Sequence, residues 1–146
     1  MEYTDFTSEF KNLSIAEIDD DASYVYESHW DPDIKGAYFA VTISETGRYS
    51  FQVDQTPERS FTGDKQMKYR YPEVWMEVGQ MLGKKKMKKF PAYVSKRRSV
   101  SQWYDLEPGT YVTFVRIKFD PKFEEDFELV LAVYSEIACG IRIATE

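Results

Sequence analysis

The chain has 146 residues, one cysteine and a formal net charge of −6, and 42% of its residues are hydrophobic. This length suits one domain with a buried core, and the composition excludes a disordered, collagen-like or disulfide-stabilised protein. The longest uncharged apolar run, residues 129–134, is far shorter than the roughly 20 residues of a membrane-spanning helix. The chain does not open with the basic and then apolar segment of a signal peptide, so we expect a soluble protein that is not cleaved. A single cysteine cannot form an internal disulfide, which favours the reducing cytoplasm.

The net charge conceals a strong asymmetry along the chain. Residues 1–34 carry ten acids and one base, residues 35–98 carry six acids and fourteen bases, and residues 99–146 carry nine acids and four bases. The three charges are therefore −9, +8 and −5. Eight of the bases lie close together, at Lys84, Lys85, Lys86, Lys88, Lys89, Lys96, Arg97 and Arg98.

The first predicted element is a short amphipathic helix over residues 4–13. Phe6, Phe10 and Leu13 share one helical stripe, and Thr4 is a suitable N-cap. After an acidic run at residues 19–21, alternating aromatic residues predict a strand over residues 23–30.

From residue 36 onward apolar residues recur mainly at every second position, which is typical of β-strands. Residues 37–43 and 48–54 flank Glu45-Thr46-Gly47 and predict a hairpin with a short turn. Residues 74–81 alternate imperfectly and suit a helix or a strand, although the neighbouring strands favour a strand. Further strands are predicted over residues 92–95, 101–105, 110–119, 126–134 and 140–144.

The turn residues between these runs indicate the fold class. Glu107-Pro108-Gly109 and Asp120-Pro121 combine the fixed φ of proline with residues that favour tight turns. Seven or eight strands joined by turns, with almost no helix after residue 16, predict an all-β antiparallel sandwich with a short N-terminal helix.

Catalysis by this chain is not expected, and no catalytic residue is predicted. Thiol chemistry would need Cys139 close to His29, and each is more simply explained as a packing or hydrogen-bonding residue. The sequence also lacks the GxSxG, GxxxxGK[ST] and HExxH motifs.

The clustered carboxylates suggest a calcium site as one hypothesis. Calcium takes about six to eight oxygen ligands, and loops at one end of a sandwich can bring distant acids together. The alternative is that these acids lie in solvated turns, which aspartate favours without any metal. The candidate ligands are Asp31, Asp33, Asp120, Glu124, Glu125 and Asp126.

The eight clustered bases allow three interpretations: a solvated loop, a surface for an acidic partner or anionic lipid, and a surface for nucleic acid. Nucleic acid is the weakest of these, because the net charge is negative and no nucleic-acid-binding motif accompanies the bases. No nucleic-acid partner is therefore predicted.

Four aromatic residues in strand-like runs, Trp75, Trp103, Tyr104 and Tyr111, are predicted to fill the core or to pair across strands. A sugar-binding platform would instead require several exposed, coplanar rings.

Three segments resemble the calpain family. YDLEPGTYV at residues 104–112 has the proline-containing turn and Gly-x-Tyr strand of calpain domain III. The stretch of residues 119–136 continues with an x-Pro loop, the Phe-x-Leu strand FELVLAVY and a Ser-Glu ending. The opening residues 1–15 look like the segment where a calpain protease core ends.

This resemblance covers residues 1–16 and 73–136. It implies that residues 1–16 are the helical end of a calpain-type cysteine protease core and that residues 17–146 are an eight-stranded, C-two-like regulatory domain. The Cys, His and Asn of such a protease would lie upstream of this chain. The implied partners are the protease core of the same chain and an acidic phospholipid membrane, with calcium as the cofactor.

One departure from the family concerns an acidic loop among its early strands, which is proposed to respond to calcium and phospholipid. The corresponding residues 55–72 are net basic here. The alternative function is therefore a β-sandwich interaction or scaffold domain that responds to neither calcium nor lipid. The expected location is the cytoplasm, with membrane association if the lipid hypothesis holds.

Overall fold

A computed structural model describes residues 23–28, 31, 35–118 and 128–144. Ten strands, one 3₁₀ turn and one short α-helix follow one another in these residues. The 3₁₀ turn is Glu58–Ser60, and the helix, α1, is Gly63–Lys68. The strands are β1 (Ser23–Ser28), β2 (Gly36–Ile43), β3 (Gly47–Gln55), β4 (Glu73–Met81), β5 (Met87–Lys89), β6 (Tyr93–Ser95), β7 (Ser99–Leu106), β8 (Gly109–Lys118), β9 (Leu129–Ser135) and β10 (Cys139–Ile143).

The strands form two antiparallel sheets. Sheet A has the order β1-β9-β3-β7, and sheet B has the order β10-β2-β8-β4. The three-residue strands β5 and β6 both pair with β4 in sheet B. Each sheet thus has four longer strands, so the prediction of an eight-stranded antiparallel sandwich is confirmed for the described residues. The helix predicted over residues 4–13 lies outside them.

The core lies between the sheets and is filled by alternate residues of each strand, because successive side chains of a strand point to opposite faces. Burying each such aliphatic or aromatic side chain contributes roughly 1.5–3 kcal/mol. The fully buried core includes Ala37, Phe39, Val41, Ile43, Tyr49, Phe51, Val53, Val74, Met76, Val78, Val115, Leu129, Leu131 and Val133.

The predicted hairpin between residues 37–43 and 48–54 is wrong. Both runs are strands, but β2 pairs with β8 and β10 in sheet B, whereas β3 pairs with β7 and β9 in sheet A. The connection at residues 44–46 therefore crosses between the sheets. A hairpin would place the two apolar faces side by side in one sheet, while the crossing turns them toward each other and buries both. The short connections after β7 and β9 cross in the same way.

Buried tyrosines close two of these crossings. The hydroxyl of Tyr49 donates to the carbonyl of Glu45 at 2.8 Å. The hydroxyl of Tyr111 donates to the carbonyl of Glu107 at 2.8 Å and accepts from the N–H of Glu107 at 3.2 Å. Each ring fills the core while its hydroxyl holds the chain four residues upstream, as in the tyrosine corner of other sandwiches. The tyrosine of the Gly-x-Tyr segment thus has a structural role.

The other strand predictions are confirmed within the described residues, with ends shifted by one to three residues. Residues 74–81 form a strand, β4, rather than a helix. Strand β5 was not predicted, because its sequence Met87-Lys88-Lys89 carries the charge expected of a solvated loop.

Candidate functional site

The hairpin formed by β4 and β5 presents the first group of bases. The N–H of Leu82 donates to the carbonyl of Lys86 at 2.8 Å, which closes a turn over residues 82–86. Gly83 adopts a φ of 137° in this turn, a conformation that favours glycine. All the lysine side chains of the hairpin are exposed. We call Lys84, Lys85, Lys86, Lys88 and Lys89 the tip cluster.

The second group of bases lies at the other end of β4. Met87 of β5 pairs with Met81, whereas Ser95 of β6 pairs with Val74. The seven-residue step from Val74 to Met81 corresponds to about 23 Å of strand. The eight bases therefore do not form the single patch that their spacing in the sequence suggests. We call Lys96, Arg97 and Arg98, which follow β6, the loop cluster.

Apolar side chains are exposed in the segment that carries the tip cluster. Leu82 is 49% exposed and Met87 is 39% exposed, whereas Tyr93 and Val94, with similar exposure, lie on β6 beside the loop cluster. These are four of the six large hydrophobic residues that are exposed in the described part of the chain. Exposed apolar groups among lysines are typical of surfaces that bind partners or anionic membranes.

One lysine of the tip cluster already has an anionic partner. The Nζ atom of Lys89 lies 2.9 Å from Oε1 of Glu77. The hydrogen bond and the charge of Glu77 raise the pKa of Lys89 above its ordinary value. In the residues that the structure describes, the other four lysines of the tip cluster have no such ion pair. These four are therefore the charges available to an external anion.

Glu77 and Lys89 also line a groove of about 350 Å³ on the outer face of sheet B. Met87 forms one side by lying across Gly79, where an added Cβ would approach its sulfur to 2.4 Å. A glycine at this position therefore lets β5 fold its side chains over β4. The groove is not predicted from the sequence, although Trp75, Glu77 and Gly79 alternate along β4 and share the outer face of sheet B.

The opposite side of the groove is aromatic. The rings of Tyr38 and Phe114 stack with centroids 4.5 Å apart and an interplanar angle of 22°. The guanidinium of Arg116 lies 5.6 Å from the ring centroid of Trp75. Because Tyr38 and Phe114 stack on each other, they do not form the open, coplanar platform that sugar binding requires.

The four aromatic residues singled out in the sequence divide into two pairs. Tyr104 and Tyr111 are buried in the core, as predicted. Trp75 and Trp103 lie on the outer faces of sheets B and A, where each is covered by an arginine of the adjacent strand. The guanidinium of Arg48 lies 5.3 Å from the ring centroid of Trp103. Both tryptophans thus pair across strands rather than fill the core.

Only one candidate calcium ligand, Asp31, belongs to the described residues. Its N–H donates to the carbonyl of Gly36 at 2.9 Å, and its carbonyl accepts from the N–H of Gly36 at 3.2 Å. No three His, Cys, Asp or Glu side chains within the described ranges come together as a metal site would require. The candidates outside the described residues are Asp33, Asp120, Glu124, Glu125 and Asp126.

Cys139 is half-buried at the start of β10, and this burial raises the pKa of its thiol. A thiol with a raised pKa forms little thiolate at neutral pH and is a weak nucleophile. His29 lies outside the described residues. No helix in the part of the chain described here is long and apolar enough to cross a membrane.

No known protein family matches this chain, and no curated protein does. Similar solved structures include a protein from Sulfurospirillum deleyianum, with 9% identity over 77% of this chain and 96% of that chain and a TM-score of 0.49. The pre-peptidase C-terminal domain of a Bacillus anthracis collagenase has 8% identity over 82% of this chain and 88% of its own, with a TM-score of 0.43. A chain of Broad Bean Stain Virus has 7% identity over 91% of this chain and 94% of its own, with a TM-score of 0.49. These likenesses concern the fold alone.

Proposed function

We propose that this chain is the non-catalytic regulatory module of a calpain-like, calcium-dependent cysteine protease. The segments that resemble calpain domain III support this proposal, because they fall on consecutive strands of the sandwich. Residues 104–112 span the end of β7, the crossing held by Tyr111 and the start of β8. Residues 127–136 include all of β9.

The module binds anionic phospholipid through the β4–β5 hairpin. The observation that carries this assignment is the coincidence of charge and apolar exposure at one turn. Four lysines without an ion pair in the described residues lie next to the exposed Leu82 and Met87 along the chain. A basic residue close to an anionic membrane contributes about 1 kcal/mol, so four of them favour binding by about a thousandfold at low salt.

The loop cluster contacts an acidic surface of the protease core in the same chain through Lys96 and Arg98. Its separation from the tip cluster, about 23 Å along β4, lets the module bind core and membrane at once. Charge complementarity at the core would speed docking and set orientation more than it would add affinity.

Calcium belongs to the end of the sandwich opposite the hairpin tip. The strand ends flanking the candidate acids meet there, because Ser28 pairs with Val130 and Gly36 pairs with Arg116. The one candidate ligand among the described residues, Asp31, lies at that end, where it pairs with Gly36. Lipid binding through the tip is therefore independent of calcium.

Vesicle sedimentation of the full chain tests this function. Vesicles containing phosphatidylserine should sediment the chain at low salt with or without calcium, and vesicles of phosphatidylcholine alone should not. Replacing Lys84, Lys85, Lys86 and Lys88 by glutamine should abolish sedimentation. The control variant, in which Lys96, Arg97 and Arg98 are replaced by glutamine, should bind almost as well as the parent.

The second candidate is a scaffold domain that responds to neither calcium nor lipid, which the mixed aromatic and charged groove of sheet B favours. It predicts no sedimentation at low salt and no heat on titration with millimolar calcium. That result would remove the regulatory proposal. The same loss of sedimentation in the tip and loop variants would contradict the hairpin assignment.

A further inference from the structure

Strand β7 lies at an open edge of sheet A. Among the described residues it pairs with β3 alone. An edge strand of this kind presents a row of backbone N–H and C=O groups that another chain can pair with.

The hydrogen bonds show which residues face that edge. The N–H of Gln55 donates to the carbonyl of Arg98 at 3.1 Å, next to the opposed pair Asp54 and Ser99. In an antiparallel ladder the backbone groups of successive residues point alternately toward the partner strand and away from it. Residues 98, 100, 102, 104 and 106 therefore face β3. Those directed at the open edge are Ser99, Ser101, Trp103 and Asp105.

The same edge carries an exposed aromatic residue. Trp103 is 52% exposed and is stacked beneath Arg48 of β3. Tryptophan and arginine are the residue types most enriched among the side chains that dominate protein interfaces.

The charges along the edge are arranged with opposite signs at its two ends. Arg97 and Arg98 precede β7, whereas Asp105 and Glu107 lie at its far end, and all four side chains are exposed. An antiparallel copy of the same segment matches this arrangement, whereas a parallel copy would place like charges together. Such self-complementarity is what a twofold-symmetric interface requires.

We propose that β7 pairs with β7 of a second copy of this chain, in an antiparallel register centred on Gln102. This register uses all four edge-facing residues, with Ser99 opposite Asp105 and Ser101 opposite Trp103 of the second copy. Arg97 then lies opposite Glu107 of the second copy. The two Trp103 rings become diagonal neighbours across the twofold axis, within reach of aromatic side chains. The small Ser101 leaves room for the indole.

Sedimentation velocity of the full chain without lipid, over a range of concentrations, tests this pairing separately from vesicle binding. The chain should form a dimer, and Ser101→Pro should be a monomer. Proline removes an N–H that points away from β3, so the β3–β7 ladder and the urea-unfolding midpoint should be retained. A chain that stays monomeric at all concentrations, or a folded Ser101→Pro dimer, would overturn the proposal.

A charge exchange tests the register. Arg97→Glu and Glu107→Arg should each raise the dimer dissociation constant about tenfold, since each places like charges opposite one another. The double variant should restore the parental constant. Both changes keep the backbone carbonyls that bind Gln55 and Tyr111. Lys85→Glu, at the distant hairpin, is the control and should leave the constant unchanged. Failure of the double variant to restore dimerisation would contradict this register.

Discussion

The Nζ atom of Lys89 lies 2.9 Å from Oε1 of Glu77 and joins β5 to β4 across the outer face of sheet B. Glu77 lines the groove, and its side chain is only 23% exposed. This contact separates Lys89 from the rest of the tip cluster. The hairpin thus carries one lysine held by the protein and four directed to solvent.

Single substitutions in the tip cluster should therefore differ in their effect on vesicle binding. Lys85→Gln should weaken binding to phosphatidylserine vesicles about fivefold, the equivalent of roughly 1 kcal/mol for a free lysine near the membrane. Replacing both Lys89 and Glu77 by glutamine should weaken it less, because the ion pair carries no net charge. Glu77→Gln alone should strengthen binding by releasing Lys89. Equal losses for Lys85→Gln and the double variant in a sedimentation assay would show that the ion pair does not matter for binding.

The tyrosine that closes the β7–β8 crossing should contribute measurably to stability. Tyr111→Phe removes two hydrogen bonds with Glu107 and should lower the free energy of unfolding by roughly 0.5–1.5 kcal/mol. Tyr104→Phe is the matched control, because the buried Tyr104 hydroxyl has no hydrogen-bond partner within the described ranges. Its loss should be neutral or stabilising. Urea unfolding followed by circular dichroism measures both, and the reverse order would refute the role of this crossing.

Alkaline pH should destabilise the fold in a defined range. Burial raises the pKa of Tyr69 and that of Tyr104 to about 12 each, above the ordinary value of 10.0. Between these values the unfolded chain loses protons that the folded chain keeps, so the free energy of unfolding falls as pH rises. Well below pH 10 these two tyrosines are protonated in both states and leave the free energy of unfolding unchanged. Unfolding midpoints measured against pH should fall less steeply above pH 10 in Tyr104→Phe, and an unchanged slope would exclude that contribution.

Two glycines of sheet B should respond differently to alanine. An added Cβ at Gly36 would lie 2.1 Å from the carbonyl oxygen of Val115, a backbone atom that cannot yield without opening the β2–β8 pairing. Gly36→Ala should therefore cost about 1–3 kcal/mol, as overpacking does. An added Cβ at Gly140 meets no atom within 4 Å, so Gly140→Ala should change stability by less than about 0.5 kcal/mol. Thermal unfolding of the two variants compares their stabilities. Equal losses of stability would contradict the close approach of Gly36 to the Val115 carbonyl.

The alternation of apolar residues predicts the strands and much of the core, because the period of two is a local property of the chain. Phe39, Val41 and Ile43 fall on one face of β2, and they are all buried. The partner of a strand is not a local property. A three-residue connection such as residues 44–46 can close a hairpin or cross between two sheets. The crossing is favoured because it buries the apolar faces of β2 and β3 against each other.

The candidate site shows the same limit. Exposure of the lysines follows from their charge, and the tip cluster is exposed as the sequence implies. Its separation from the loop cluster depends on the pairing of both β5 and β6 with β4, which no spacing in the sequence reveals. The groove likewise depends on Gly79 lying beneath Met87, a contact between two strands.

Quenching by brominated lipids tests most directly whether the hairpin tip enters an anionic membrane. A tryptophan introduced as Leu82→Trp should be quenched by vesicles of brominated phosphatidylserine, after subtraction of the signal from the three native tryptophans. Met67 is an exposed residue of α1, away from the hairpin, so Met67→Trp is the matched control and should not be quenched. Quenching of Leu82→Trp alone is the predicted result. No quenching of Leu82→Trp in vesicles that bind the protein, or equal quenching at both positions, would contradict binding through this hairpin.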